Sequence, residues 1–282
     1  MFASMFDRFG NQIVDMYDMS AFDANLEPAK NALLNPNACV YVGHYSFGMH
    51  EWLARSCCYM AIMRKPLDRI ISLYYYNIQF RENLRRDAQI AGQSIPDFFK
   101  SHNVADMYED YMPWIEGEQT LSNFLDCNSH ELDNGMVRRL SGIGISEEKC
   151  PEDALKIAKE NIENYFSVVG VQERYPETVR LVQETFGWTW LNEYHVNKGM
   201  EKKSKQQKGY RLTNSMARRI KNMNKLDINL YQWVLNRFDK QVSSHDQPKV
   251  IQGKGRTDFE NVPLWRSIGE SPIRRALEQV VR

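Results

Sequence analysis

Several features that mark whole classes of protein are absent from this sequence of 282 residues. It has no run of the roughly 18–20 apolar residues that a membrane-spanning helix needs. The first residues, MFASMFDRFGNQ, lack the basic segment and the apolar segment of a secretory signal peptide. The 36 basic and 36 acidic residues leave no formal net charge, so no global field favours a nucleic acid or a membrane surface.

The few cysteines also lack the spacing of a metal site. An odd number of thiols without a C-x-x-C pair is typical of structural cysteines in a reducing compartment. We therefore expect no bound metal and, for the chain as written, a cytoplasmic location. The five cysteines are Cys39, Cys57, Cys58, Cys127 and Cys150.

What the sequence does contain is an alternation of predicted strands and helices. Three short apolar runs predict buried strands, at residues 39–43, 58–63 and 165–171. Helical signals follow Pro66, cover 153–165, extend from Pro176 to Gly187, and recur over 210–240. This alternation predicts an α/β fold with a mostly parallel sheet flanked by helices.

The segment CCYMAIMRKPLDRIISLYYY, residues 57–76, predicts an anion site. Arg64 follows an apolar run, and Pro66 then opens a helix. In parallel sheets, ligands bind beyond the carboxyl ends of the strands, where helix N-termini present unpaired N–H groups. A phosphate there could receive a forked contact from Arg64 and a hydrogen bond from Ser72. From spacing alone, an ordinary solvated turn between a strand and a helix remains the alternative.

The same segment resembles a donor-binding motif of the carbohydrate sulfotransferases. RKPLDRIISLYYY, which begins at Arg64, is similar to their pattern R-x-P-x-x-R-x-x-S-x-Y-Y. In that family the pattern binds the 3′-phosphate of the sulfuryl donor, 3′-phosphoadenosine 5′-phosphosulfate (PAPS). The resemblance implies that Arg64 and Ser72 bind this phosphate, and that Arg69 supports the same helix electrostatically or by pairing. Lys65 stands where the commoner pattern has an aspartate, a difference that bears on donor affinity.

A second segment, YVGHYSFG at residues 41–48, resembles the G-H segment of the heparan sulfate and uronyl 2-O-sulfotransferases. In that group a histidine after a strand is the general base, and the resemblance implies this role for His44. A neutral imidazole with a pKa of about 6.5 can take the proton of a sugar hydroxyl. A structural or solvent-facing histidine is the alternative. We expect residues 39–43 and 58–63 to be neighbouring parallel strands, with His44 and Arg64 at the same edge.

Further segments resemble this family in the same order along the chain. They are DNGMVRRLSG (133–142), FSVVGVQERYPETVRLVQETFGW (166–188), HVNKG (195–199) and LDINLYQWVLNRF (226–238). The resemblance therefore covers about residues 36–240 and implies the sulfotransferase fold, which is P-loop NTPase-like. We divide the chain accordingly into a sulfotransferase-like α/β domain over residues 1–240 and an irregular C-terminal tail over 241–282.

The resemblance also implies further contacts with the donor or the acceptor. Arg138 and Arg139 would contact one of these molecules, or else pair with carboxylates. Ten basic residues and one acidic residue lie between positions 198 and 225, which predicts either a solvated face or a surface for the donor or an anionic acceptor. The residues of a loop expected to close over the donor are Asn197, Lys198 and Gly199.

One segment of the family is missing from this sequence. Sulfotransferases of this group begin with a strand and a loop of the form H-I-P-K-x-G-[GT]-[TS], whose N–H groups and lysine hold the 5′-phosphosulfate. Neither this loop nor a G-x-x-x-x-G-K-[ST] phosphate loop occurs here. We therefore expect Met1 to be an internal methionine of a longer protein, and the first strand and its loop to be lost. The sheet would then expose an unpaired edge or an apolar groove beside residues 39–43.

Together these patterns predict transfer of a sulfuryl group from PAPS to a carbohydrate hydroxyl. The partner would be a carbohydrate or polysaccharide acceptor, and not a nucleic acid. The alternative from another class is a catalytically weak or inactive binding module for an anionic glycan or nucleotide. A Golgi lumenal location would follow if the chain were the truncated part of a longer eukaryotic membrane-anchored protein.

Overall fold

The computed structural model describes residues 13–15, 35–43, 46–101, 114–115, 117–143, 149–191, 212–244 and 248–255. The strands in these residues are β1 (Ile13–Asp15), β2 (Val40–Val42), β3 (Tyr59–Met63) and β4 (Phe166–Val171). The α-helices are α1 (Pro66–Ile90), α2 (Ile95–Ser101), α3 (Leu121–Leu125), α4 (Gly135–Ser141), α5 (Ala154–Tyr165), α6 (Tyr175–Phe186), α7 (Asn214–Met223) and α8 (Lys225–Ser243). No helix among the described residues has the length and apolar character needed to cross a membrane.

The strands pair in parallel, which confirms the predicted α/β class. β3 and β4 run side by side from Tyr59 opposite Phe166 to Met63 opposite Val171. β4 is buried along its whole length, as expected for a strand covered on both faces of a parallel sheet. β1 and β2 form a separate parallel ladder.

The surroundings of β2 correct one expectation. The prediction that residues 39–43 and 58–63 form neighbouring strands is wrong for the described residues, because β2 pairs with β1 while β3 pairs with β4. β1 lies upstream and occupies one edge of β2, so the expected unpaired edge or apolar groove beside residues 39–43 stays a prediction for the other edge. Apolar runs indicate where strands lie, whereas pairing depends on contacts between residues distant in sequence. The residues between β1 and position 35 lie outside the described part of the chain.

The helices begin and end where the sequence has its signals. α1 begins at Pro66, directly beyond β3, where the missing N–H of proline would have no partner in any case. α6 has Pro176 in its first turn and ends at Phe186, just before Gly187, whose φ of 68° lies in the left-handed region that favours glycine. α5 covers nearly all of the predicted range 153–165, and the range 210–240 contains α7 and most of α8.

Two apolar clusters hold the helices against the strands and against each other. The larger cluster surrounds β3 and β4 and includes fully buried side chains of α5, α6 and α8, such as Ile162, Val182 and Phe238. The smaller cluster lies along α1 and includes Ile70 and Phe124. Burying an apolar side chain of this size stabilises the fold by about 1.5–3 kcal/mol. The larger cluster therefore packs helices against the strands, and the smaller one packs α1 against neighbouring helices.

A glycine in β4 allows α6 to approach closely. A Cβ on Gly170 would lie 2.1 Å from Cγ2 of Thr178 in α6. The hydroxyl of Thr178 accepts a hydrogen bond from the backbone N–H of Val171 at 2.9 Å and donates one to its carbonyl at 3.0 Å. These bonds tie the first turn of α6 to the end of β4.

Two helices cap each other at their N-termini. Asn134 precedes α4 with a φ of 53°, and its Oδ1 accepts hydrogen bonds from the N–H groups of Leu226 and Asp227 at 2.9 and 3.2 Å. In return, the buried carboxylate of Asp227 accepts hydrogen bonds from the N–H groups of Met136 and Val137 at 3.1 and 2.8 Å. The first N–H groups of a helix have no partner within it, so each side chain satisfies donors of the other helix.

Residues 248–255 pack irregularly against the chain just before β3. Cys57 and Ile251 exchange two backbone hydrogen bonds, each of 2.9 Å. Gly253 passes so close to Leu53 that a Cβ would lie 2.1 Å from the Leu53 carbonyl oxygen. This part of the predicted tail therefore contacts the domain, whereas residues 256–282 lie outside the described residues.

The reciprocal caps predict a large effect of substituting Asp227. Asp227→Ala should lower the free energy of unfolding by about 3–5 kcal/mol, the usual cost of removing one partner from a buried charged contact. The change leaves two N–H groups of α4 without acceptors and removes a carboxylate that lies 3.8 Å from the Arg69 guanidinium. Chemical denaturation measures the loss.

Asp239→Ala is the matched control, because Asp239 is an exposed carboxylate on the same helix, α8. An exposed ion pair contributes at most about 1 kcal/mol, so this variant should remain close to the wild type. Equal losses in the two variants would contradict the capping role of Asp227.

Candidate functional site

The carboxyl ends of β3 and β4 meet at one edge, because the last residue pair of their ladder is Met63 opposite Val171. Arg64 and Lys65 follow β3 directly, with Arg64 half-buried and Lys65 exposed. No ion pair joins Arg64 to a carboxylate of the described residues, so its charge is available to an anion. This edge therefore carries the cation that the sequence predicted for it.

The N-terminus of α1 lies at the same edge. The helix is 25 residues long, and its positive dipole end and first N–H groups favour an anion there. Ser72 lies in the second turn and is half-buried. Arg64 and Ser72 thus belong to one strand–turn–helix unit, an arrangement suited to a phosphate that needs both a forked cation and a hydroxyl.

The turns after β3 and β4 are joined by Glu173, which lies two residues beyond β4. Its Oε1 accepts a hydrogen bond from the backbone N–H of Lys65 at 2.8 Å. Its Oε2 accepts one from the hydroxyl of Tyr231 in α8, also at 2.8 Å. Burial is the main cause that raises the pKa of Tyr231 above its usual value, and the Glu173 carboxylate adds to it, so the hydroxyl keeps its proton.

Arg69 lies in the first turn of α1 and is paired with buried carboxylates. Its guanidinium donates to Oε2 of Glu131 at 2.8 Å and lies 3.8 Å from Oδ2 of Asp227. Burial raises the pKa of Asp227, while the nearby Arg69 charge and the two helix N–H groups lower it. This pairing is one of the two ways in which Arg69 was expected to support α1.

Arg138 and Arg139 also pair with carboxylates, which is one of the alternatives left open for them. Arg138 is fully buried, and its guanidinium contacts Oδ2 of Asp133 at 2.7 Å. Arg139 pairs with Oε1 of Glu131, the carboxylate that Arg69 contacts through its other oxygen. A contact of either arginine with donor or acceptor stays a prediction.

Several predicted site residues lie outside the described residues, namely His44, Asn197, Lys198 and Gly199. The structure therefore brings together Arg64 and the α1 helix that carries Ser72, and places neither the expected base nor the expected donor loop.

The basic stretch is described from residue 212 onwards. There Arg219 pairs with Asp126, while Arg218, Lys221 and Lys225 are exposed. No group of metal-ligating side chains occurs among the residues that the structure describes.

A buried histidine near the start of β3 was not predicted as part of a polar cluster. Tyr59 Oη lies 3.0 Å from Nδ1 of His50 and accepts the backbone N–H of His50 at 2.8 Å. Nε2 of His50 lies 3.4 Å from the carboxylate of Glu51, which also pairs with Lys254 at 2.6 Å. These contacts lie at the amino end of β3, opposite to the edge that carries Arg64. The sequence signal was only the pair His50–Glu51.

A model of the sulfotransferase family matches residues 44–234 of the chain. The chain belongs to the sulfotransferase family. The match begins at His44, covers the Arg64 motif and Glu173 with its partner Tyr231, and confirms the family resemblance seen in the sequence. Sulfuryl transfer is the reaction of this family in general terms. Searches of curated proteins and of solved structures find no significant match.

The buried imidazole of His50 makes the stability of this sulfotransferase depend on pH. Burial lowers the pKa of His50 below its usual value, with Lys254 acting in the same direction and Glu51 opposing it. The unfolded chain therefore binds a proton at this histidine more readily than the folded protein does. The contribution of neutral His50 to the free energy of unfolding is fully present above a pH of about 6.5 and decreases as the pH falls through and below that value.

His50→Gln should flatten the acid side of the stability profile. Urea denaturation between pH 7.5 and 5 compares the two proteins, and the histidine contributes a slope of at most about 1.4 kcal/mol per pH unit. The difference in unfolding free energy should shrink as the pH falls. Parallel profiles for the wild type and the variant would show that His50 does not titrate differently on folding.

Proposed function

We propose that the chain transfers a sulfuryl group from PAPS to a hydroxyl of a carbohydrate. The observation that carries this proposal is the placement of Arg64 between the end of β3 and the Pro66 that begins α1. This placement puts a cation where helix N–H groups and the helix dipole also favour a phosphate. Membership of the sulfotransferase family supports the reaction class.

The donor would bind through its 3′-phosphate at this edge. Arg64 would supply a forked, permanently charged contact and Ser72 a hydroxyl. Both groups are half-buried, so water screens the contact less than it would on an open surface. By family resemblance, Asn197, Lys198 and Gly199 would close over the donor.

His44 would act as the general base. A sugar hydroxyl is a poor nucleophile, and a neutral imidazole can take its proton while the oxygen attacks sulfur. The bond between sulfur and the bridging oxygen of the 5′-phosphate breaks, and the products are the sulfate ester and adenosine 3′,5′-bisphosphate. The charge that builds on the departing phosphate has to be met by cations or N–H groups.

A second candidate function is a binding module for a nucleotide or an anionic glycan. It is favoured by the sequence itself, which contains no segment of the form H-I-P-K-x-G-[GT]-[TS]. Such a module would keep the anion site at Arg64 and would lack turnover. Binding and turnover measured on the same preparation separate the two functions.

Arg64→Ala should weaken the binding of adenosine 3′,5′-bisphosphate by about 1.5–3 kcal/mol, the range for hydrogen bonds to charged groups. Isothermal titration calorimetry measures the affinity. Arg85→Ala is the matched control, since Arg85 is exposed near the far end of the same helix, α1. It should bind as the wild type does. Unchanged affinity in Arg64→Ala would remove Arg64 from the donor site.

Residues 1–282 should bind the nucleotide and show little or no turnover. Removing one preorganised donor from a charge-developing centre slows a reaction by about 10²–10³-fold, and the missing loop would supply several donors. Transfer of radiolabelled sulfate from PAPS to desulfated polysaccharides measures the rate, with His44→Ala as the control for reaction at this site. Robust sulfation by the wild type would mean that another cation, such as Lys65 or Lys198, meets the leaving charge.

A further inference from the structure

We propose that Glu173 is a positioning residue for the donor 3′-phosphate, because it fixes the turn that carries Arg64. The inference rests on the proposed function, since it concerns the same edge of the sheet. Glu173 itself would not contact the donor. It would act through the backbone of Lys65, the residue between Arg64 and the first residue of α1.

The N-cap residue of α1 is Lys65, and no side-chain hydrogen bond caps the helix. A lysine side chain has no acceptor, so it cannot satisfy N–H groups at a helix N-terminus. The N–H of Lys65 itself has an acceptor outside the helix, Oε1 of Glu173 at 2.8 Å. The carboxylate after β4 thus fixes the peptide group that directly follows Arg64.

Glu173 is itself held in place by α8. Its Oε2 accepts a hydrogen bond from the hydroxyl of Tyr231 at 2.8 Å, and Tyr231 is a buried residue of α8. Neighbouring side chains of the same helix, Leu230 and Val234, are fully buried in the larger apolar cluster. A carboxylate held at both oxygens loses less freedom when it positions a partner than an unconstrained side chain does. Glu173 therefore connects the Arg64 turn to the packed core.

The negative charge of Glu173 cannot itself favour a phosphate. A carboxylate close to a bound phosphate can only oppose binding electrostatically. A favourable effect of Glu173 on phosphate affinity must therefore come from geometry. Glutamine keeps an oxygen for the Lys65 N–H and removes the charge, whereas alanine removes both. The two substitutions separate positioning from electrostatics.

The experiment titrates adenosine 3′,5′-bisphosphate and adenosine 5′-monophosphate into each folded variant. The ratio of the two affinities isolates the contribution of the 3′-phosphate. In Glu173→Ala this ratio should fall about tenfold, the equivalent of one lost hydrogen bond. In Glu173→Gln it should equal or exceed the wild-type ratio. Tyr231→Phe, which keeps the carboxylate and removes one of its two supports, should give a smaller fall than Glu173→Ala.

Glu177→Ala is the matched control for charge. It removes a carboxylate four residues further on, in the first turn of α6, whose partner is Arg174 and not Lys65. The ratio of the two nucleotide affinities in Glu177→Ala should not fall below the wild-type ratio. A wild-type ratio retained in Glu173→Ala overturns the positioning role and leaves the proposed function intact. A fall in Glu173→Gln as large as that in Glu173→Ala also overturns it. A wild-type chain that binds neither nucleotide overturns the proposed function and this inference together.

Discussion

The parallel ladder between β3 and β4 is the constraint on which the described site depends. Because Met63 stands opposite Val171, the two following turns emerge side by side at one edge. This is why a carboxylate beyond β4 can reach the backbone before α1, although the two residues are 108 positions apart in the chain. A shift of the ladder by one residue would reverse the faces of all side chains in one strand and separate these turns.

A buried ionic network then holds the helices around that edge. Glu131 pairs with Arg69 through one oxygen and with Arg139 through the other, and Asp227 caps α4 from α8. Two carboxylates and two guanidiniums are thereby taken out of water together, which is tolerable because each charge has a partner of opposite sign. The network links α1, α4 and α8 through Arg69, Arg139 and Asp227.

Local sequence signals predicted the positions of helices and strands better than they predicted contacts between residues distant in sequence. Pro66 and Gly187 mark helix ends through their own backbone chemistry, and the apolar runs give β3 and β4 within one or two residues. The order of the strands was not predictable in this way, because β1 is only three residues long and carries no strong pattern. The role of Glu173 was equally hidden, since its partner at Lys65 is a backbone N–H that every residue except proline possesses.

The contact between residues 248–255 and the chain before β3 has a consequence for the synthesis of the protein. Ser56 and Gln252 hydrogen-bond across 196 positions of sequence. Ribosomes add about 5–20 residues per second, so the first partner waits roughly 10–40 s for the second. During that interval Cys57 also lacks the backbone hydrogen bonds that it exchanges with Ile251. Residues 248–255 therefore join the chain before β3 only late in synthesis.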